Sequence, residues 1–217
     1  MEKKNIIKES IILFVLLVPI LIMFLLWNKL PDNLPIHWNI KGEVDNYDSK
    51  YLFAIINTGL YILFLILPKI DPRKKNYTIF SSTYYKLRLI LTLFLSLFFL
   101  LVMYNAVYAR VDFEKIFPIS ILFLLALLGN YMSTVRSNYF VGIRTPWTLN
   151  NEKVWKVTHL FGGRLMFFGG IVGGIISIFI SKPYSQYFAF SIIVIVLLVP
   201  MVFSFIYYRK LQSGNEL

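Results

Sequence analysis

Residues 89–109 read LILTLFLSLFFLLVMYNAVYA, a run without a single charge. At about 1.5 Å of rise per residue, an α-helix of roughly 20 residues crosses a hydrocarbon layer of about 30 Å. The run does not alternate apolar with polar residues, so it does not suit a barrel strand. Five more charge-free windows flank it: Ser10–Asn28, Tyr51–Pro68, Ile116–Val135, Leu165–Ser181 and Pro183–Tyr208. The second and fifth are short and imply little tilt or local thinning of the bilayer, whereas the sixth is long enough to tilt.

Composition agrees. The chain has 217 residues, 58% hydrophobic and only 15% charged, with mean hydropathy +0.67. A soluble domain has about 25% charged residues. The expected fold is an all-α, polytopic membrane helix bundle with six transmembrane helices, a short extracytoplasmic first loop and a longer cytoplasmic fourth loop carrying a short interfacial helix. Lys3, Lys4 and Lys8 precede the first apolar run, and no small-residue cleavage site follows it. An uncleaved first helix ending near Trp27-Asn28-Lys29 is expected.

Charge sets the orientation. Sixteen of the 22 Lys and Arg residues fall on the N-terminus, the second and fourth connections and the C-terminus. The acids leave this side at +11 and the other side neutral, so the whole net charge of +11 sits on one face. By the positive-inside rule, both termini are expected in the cytoplasm of a bacterial cell, with the basic face against anionic membrane lipids. That segregation explains the basic balance without direct nucleic-acid binding.

Chemistry-bearing residues are sparse. There is no cysteine, hence no disulfide, thiolate metal site or Cys nucleophile. His37, with Glu43, Asp45 and Asp48, is too dispersed a set for a convincing metal site. His159 falls on the opposite face in this topology. No metal, cofactor or enzymatic activity is expected. No ionisable residue sits in the middle of any window, which counts against a coupled transporter.

The two informative connections are the first and the fourth. The first, Asn28–Lys50, is rich in turn residues and admits at most a short hairpin. The second, Lys69–Lys86, reads as a solvated basic loop. The fourth carries Asn138-Tyr139-Phe140-Val141-Gly142-Ile143-Arg144-Thr145-Pro146-Trp147-Thr148-Leu149. Gly142 permits a tight turn or a close approach, and Pro146 biases Thr145 toward extended backbone. Asn150 or Asn151 can cap a short helix running to about Phe161, with Val154, Thr158 and Phe161 on one stripe. Trp155 and His159 are neighbours four residues apart. Arg144 could present its fork to a carboxylate, a phosphate or backbone carbonyls, or could reach lipid phosphate while Trp147 anchors the interface. Residue chemistry leaves these two open. Gly169, Gly170, Gly173 and Gly174, with Gly162 and Gly163 a heptad earlier, predict close helix packing on one face.

The run from Asn138 through Phe140, Gly142, Arg144, Thr145, Pro146, Trp147 and Thr148, followed by Trp155, Thr158 and His159, resembles the signature of the SdpI family of bacterial multi-spanning immunity proteins. Asn130, eight residues before Asn138, fits the same pattern. Pro35, His37, Trp38, Gly42, Asp45, Ser49 and Lys50 in the first loop are similar to the small domain of unknown function, DUF1648, that often precedes that signature. The resemblance divides the single membrane domain into a two-helix segment over 1–70 and a four-helix segment over 71–217. It implies protection against a secreted peptide toxin of the bacteriocin or cannibalism-factor type. It also implies, for some members, signalling by holding a cytoplasmic winged-helix repressor at the membrane. A small peptide transporter or exporter, and a membrane-stress sensor without immunity, are the alternative readings.

Overall fold

The computed structural model describes residues 3–39 and 43–214. Its element order is α1 (Lys3–Leu25), β1 (Asn33–Trp38), β2 (Val44–Ser49), α2 (Tyr51–Ile70), α3 (Lys74–Ile79), α4 (Ser81–Tyr108), α5 (Phe113–Met132), α6 (Pro146–Asn150), α7 (Glu152–Phe179) and α8 (Tyr184–Gln212). Six helices, α1, α2, α4, α5, α7 and α8, are long and apolar enough to cross a membrane. The expected all-α, six-span bundle is therefore present, with one small hairpin added. Packing divides the chain into two units, Met1–Ile66 with Tyr85–Phe117, and Leu67–Tyr84 with Pro118–Leu217.

The first unit is organised by the hairpin. Strands β1 and β2 pair antiparallel from Asn33↔Ser49 to Trp38↔Val44, with irregular register on either side of His37. Strand β1 buries Leu34 and Trp38 in a core with Met23, Leu30, Phe99, Val102, Met103 and Phe113. Trp38 stacks on Phe113 and Phe117 at 5.1 and 5.7 Å and meets the edge of Phe98 at 5.5 Å. Polar β2 is mostly exposed. Short strands with one apolar face can persist only when docked in this way.

This unit also holds a polar seam. Arg88 donates to both oxygens of Glu9, at 2.7 and 2.8 Å. The Tyr61 hydroxyl reaches the same carboxylate at 3.4 Å, and its ring lies under the guanidinium, 5.7 Å away. One and two turns further along α4, Thr92 and Ser96 are buried. Asn57 donates to the Ser96 hydroxyl at 3.0 Å. The charge-free windows begin just after Glu9 and Arg88, yet α1 and α4 extend beyond both residues, so the pair lies within helices of spanning length. A two-point Arg–carboxylate contact is the arrangement that best offsets the desolvation of two charges.

In the second unit α7 differs from expectation. The short helix expected up to Phe161 and the span from Leu165 are one continuous helix, and the separate short helix is α6, one turn earlier. Asn151 caps α7, its side chain accepting from the amides of Lys153 and Val154. The glycine pairs do not interrupt the helix, because its neighbours press against them. They also serve two faces rather than one. A Cβ on Gly163, Gly170 or Gly174 would meet α5, at Gly129, at Leu122 and Ala126, and at Phe123. A Cβ on Gly162, Gly169 or Gly173 would meet α8, at Pro200, Val196 and Ile192.

The tightest position is Gly170, where an added Cβ would lie 2.4 Å from the Leu122 carbonyl oxygen. Gly170→Ala is expected to destabilise the folded protein by about 1–3 kcal/mol, the usual range for overpacking. Gly59→Ala, in α2 with nothing within 4 Å, is expected to be neutral or slightly stabilising. Thermal unfolding of the detergent-solubilised variants checks both.

Candidate functional site

The fourth connection folds back on itself through side chains that replace a regular backbone ladder. Asn138 is fully buried. Its carbonyl oxygen accepts from the amides of Phe140 and Val141 at 2.9 and 2.7 Å and from the Tyr77 hydroxyl at 3.1 Å. Its amide nitrogen donates to the carbonyls of Arg136 and Val141 at 2.8 and 3.0 Å. A single carboxamide thus satisfies four backbone groups in a segment without helix or strand, where each would otherwise be costly to bury.

Asp71 does the same from the second connection, which the sequence suggests is solvated. It is 1% exposed. It accepts from the amides of Arg73 and Tyr139 at 2.7 and 2.9 Å and from the Tyr77 hydroxyl at 3.2 Å. Arg73 donates to the Ser137 hydroxyl and, at 2.6 Å, to the Leu149 carbonyl. Its guanidinium lies over the Tyr139 ring, 5.1 Å from the centroid. Asn76 donates to the Ser137 carbonyl at 2.6 Å. The second connection is therefore a buried frame for the fourth, and Asp71, Arg73, Asn76 and Tyr77 are residues that sequence reasoning missed. Two features hinted at them: Asp71 is an acid in a strongly basic stretch, and it precedes Pro72 at a turn.

His159 closes the other side. Gly142 has φ +113°, and a Cβ there would fall 2.3 Å from His159 Nε2. That close approach lets the Ile143 amide donate to Nε2 at 2.9 Å. Since Nε2 accepts, the ring proton is on Nδ1, which donates to the Trp155 carbonyl at 2.8 Å. The tautomer follows from both partners. Trp155 stacks on His159 with centroids 3.9 Å apart, and its indole N–H donates to the Val135 carbonyl at 2.8 Å. Thr158 is fully buried beside them on α7.

Thr145 and Thr148 form a reciprocal cap on α6. The Thr145 hydroxyl accepts from the Thr148 amide at 3.2 Å, and the Thr148 hydroxyl accepts from the Thr145 amide at 2.8 Å. Pro146 occupies the first turn, where its missing N–H costs nothing. Trp147 is half-buried. Its N–H donates to the Ser204 hydroxyl at 2.6 Å, and its ring packs on Phe205 and Tyr208 of α8.

Of the partners open to Arg144, the structure shows a backbone carbonyl. Arg144 donates to the Tyr139 carbonyl at 2.7 Å, closing the loop, while remaining exposed. Phe140 is half-buried and Asn130 is exposed on α5, outside this network. The outer surface of the folded loop is thus Tyr139, Arg144 and Pro146.

The first-loop residues gather in the other unit. His37 pairs with Asp45 at 2.5 Å, both exposed. Among the described residues no group of three or more His, Cys, Asp or Glu is placed to hold a metal. Pro35 pairs with Tyr47 across the hairpin, and the Ser49 hydroxyl accepts from the Tyr51 amide at 3.4 Å. Lys50 is 4% exposed. It bonds Asp32 at 3.1 Å and sits 3.9 Å above the Trp27 ring, tying the hairpin base to the end of α1. Gly42 lies outside the described residues.

The model of the SdpI/YfhL protein family matches residues 134–208, the segment that contains the folded loop. The model of DUF1648, a domain of unknown function, matches residues 14–60, which contain the hairpin. "Immunity protein SdpI" of Bacillus subtilis (strain 168) is 26% identical over 216 residues, covering 98% of this chain and 100% of the relative. The chain is thus similar to the SdpI/YfhL protein family over residues 134–208 and to an immunity protein over nearly its whole length. Six helices long and apolar enough to span a membrane, together with this similarity, mark it as a multi-pass membrane protein. No solved structure matches it.

Asn138→Ala strands four backbone groups and leaves the Tyr77 hydroxyl with Asp71 alone. It is expected to cost about 2–4 kcal/mol, at 1–3 kcal/mol for each buried group left unpaired and some of them rehydrated. His37→Ala, in an exposed pair, should change thermal stability little. Burial, aided by the Asp71 carboxylate, pushes the Tyr77 phenol well above its ordinary value of 10.0. Its hydroxyl therefore stays a donor. The stability it contributes should be complete below pH 10 and be lost as pH climbs through its raised value. Tyr77→Phe should remove that alkaline dependence in unfolding measurements across pH 8–12.

Proposed function

We propose that this chain is a bacterial membrane immunity protein that protects its cell against a secreted peptide toxin. The observation that carries this reading is the similarity to an immunity protein over 98% of this chain and 100% of the relative. In this account the termini and the Asp71–Asn138 frame face the cytoplasm, as the segregation of Lys and Arg supports. The hairpin faces outward, where a secreted toxin arrives, and offers exposed Tyr47, Asp45 and His37. The folded loop presents Tyr139, Arg144 and Pro146 inward. These are available to a cytoplasmic regulator such as a winged-helix repressor. Glu9 and Arg88 neutralise one another through two hydrogen bonds, so the pair gives the transporter reading no support.

Expression in a toxin-sensitive bacterium, challenged with secreted peptide toxins from related strains, tests the proposal. Survival with at least one toxin is expected, and full sensitivity to all of them despite normal membrane abundance would contradict it. Trp147→Ala removes an α6–α8 contact and should lower abundance. Arg144→Ala, which loses one exposed hydrogen bond, should reach the membrane normally. Arg144→Ala should keep most of the protection but lose at least fivefold in any toxin-dependent reporter response. Full reporter response by Arg144→Ala would remove this surface from signalling.

A further inference from the structure

A groove of about 910 Å³ opens in the second unit where α3 and the first turn of α4 meet the end of α5 and the start of α7. Three cations line it, Arg136, Lys153 and Lys156, against one acid, Glu152; all four are exposed. Trp155 forms part of its wall, fixed by the hydrogen bond to Val135. Thr83 and Thr134 close another part through their shared hydroxyl bond of 2.7 Å. At the rim Ile79 is apolar and 64% exposed.

The position of the groove along α7 identifies its surroundings. This helix has 28 residues, roughly 42 Å, which exceeds a hydrocarbon core of about 30 Å by about eight residues. With Phe179 at one boundary, the core ends near Leu160, which is 40% exposed and apolar, and exposed Arg164, one turn inside, reaches back to the headgroups along its own stem. Lys156 and Lys153 then lie roughly 6 and 10 Å beyond it, in the layer of lipid headgroups. A basic pocket between helix ends at that depth fits the phosphate of an anionic lipid. The hydroxyls of Ser133 and its neighbours suit a polar headgroup, and Ile79 suits the start of an acyl chain.

We infer that this groove is a binding site for the glycerophosphate headgroup of an anionic phospholipid, such as phosphatidylglycerol. The site depends on the membrane assignment and not on the immunity reading, so either can fail alone. It also gives the basic residues of the fourth connection a specific ligand in place of diffuse attraction to the bilayer.

The test is native mass spectrometry of the full chain, released from detergent containing equal phosphatidylglycerol and phosphatidylcholine. Wild type is expected to retain phosphatidylglycerol in clear preference. The combined Arg136→Gln, Lys153→Gln and Lys156→Gln variant should lose that preference by about tenfold or more, since each basic contact at a membrane surface is worth several-fold in affinity. The combined Lys69→Gln, Lys74→Gln and Lys75→Gln variant removes equal charge from exposed positions outside the groove and should keep it. Ser133→Trp fills the groove without changing charge and should also lower retention. Equal loss in the two triple variants would overturn the site, as would undiminished retention in Ser133→Trp. Displacement of phosphatidylglycerol by millimolar inorganic phosphate would make it a free-anion site instead. Stronger capture of a soluble polyglutamate peptide than of the lipid would assign the groove to an acidic protein segment; either result overturns the proposal.

Discussion

Burying irregular backbone requires a hydrogen-bond partner for every N–H and C=O, and in this protein a few side chains meet that demand. Asp71 and Asn138 sit at the centre, joined through the Tyr77 hydroxyl. Between them they accept from the amides of Arg73, Tyr139, Phe140 and Val141. Without them, the segment between α5 and α6 would have to stay in water. With them, it folds tightly enough for Gly142 to press against His159 and for Trp147 to reach α8. The dense run of special residues is therefore chiefly a folding device, whose product is a small exposed surface around Arg144.

The two units solve a similar problem by different means. In the first, a hairpin of two six-residue strands is held by one apolar strand face, and Lys50 pins its base through Asp32 and the Trp27 ring. In the second, six glycines on α7 let α5 and α8 approach closely on two sides. Close contact of this kind is what stabilises helices where lipid offers no hydrophobic driving force between them. Both matched family segments coincide with these structures, the hairpin in one and the loop with α7 and α8 in the other.

Much of this was legible in the chain. Charge-free windows located all six long helices, because length and hydropathy dominate in lipid. Asn151 as a cap, the Trp155–His159 neighbourhood and the need for glycine at 142 followed from local rules. What escaped was non-local. Nothing in Lys69–Lys86 reveals that Asp71 bonds Tyr139, 68 positions away, so a buried frame read as a solvated loop. Charge alone marks helix ends too early or too late. Glu9 and Arg88 neutralise one another inside their helices, and α7 runs through Gly162 and Gly163 because its neighbours hold it. Arg144 could be resolved only by seeing the Tyr139 carbonyl within its reach.

The central claim is that the signature segment is a rigid, side-chain-bonded frame and not a mobile loop. Hydrogen–deuterium exchange on the full chain in lipid nanodiscs addresses it directly, at the amides of Tyr139, Phe140, Val141 and Ile143. Each of these donates to a buried side chain, Asp71, Asn138, Asn138 and His159 respectively. The account predicts protection at all four comparable to that of α7. Exchange at the rate of an unstructured peptide, in protein whose helices remain protected, would contradict it.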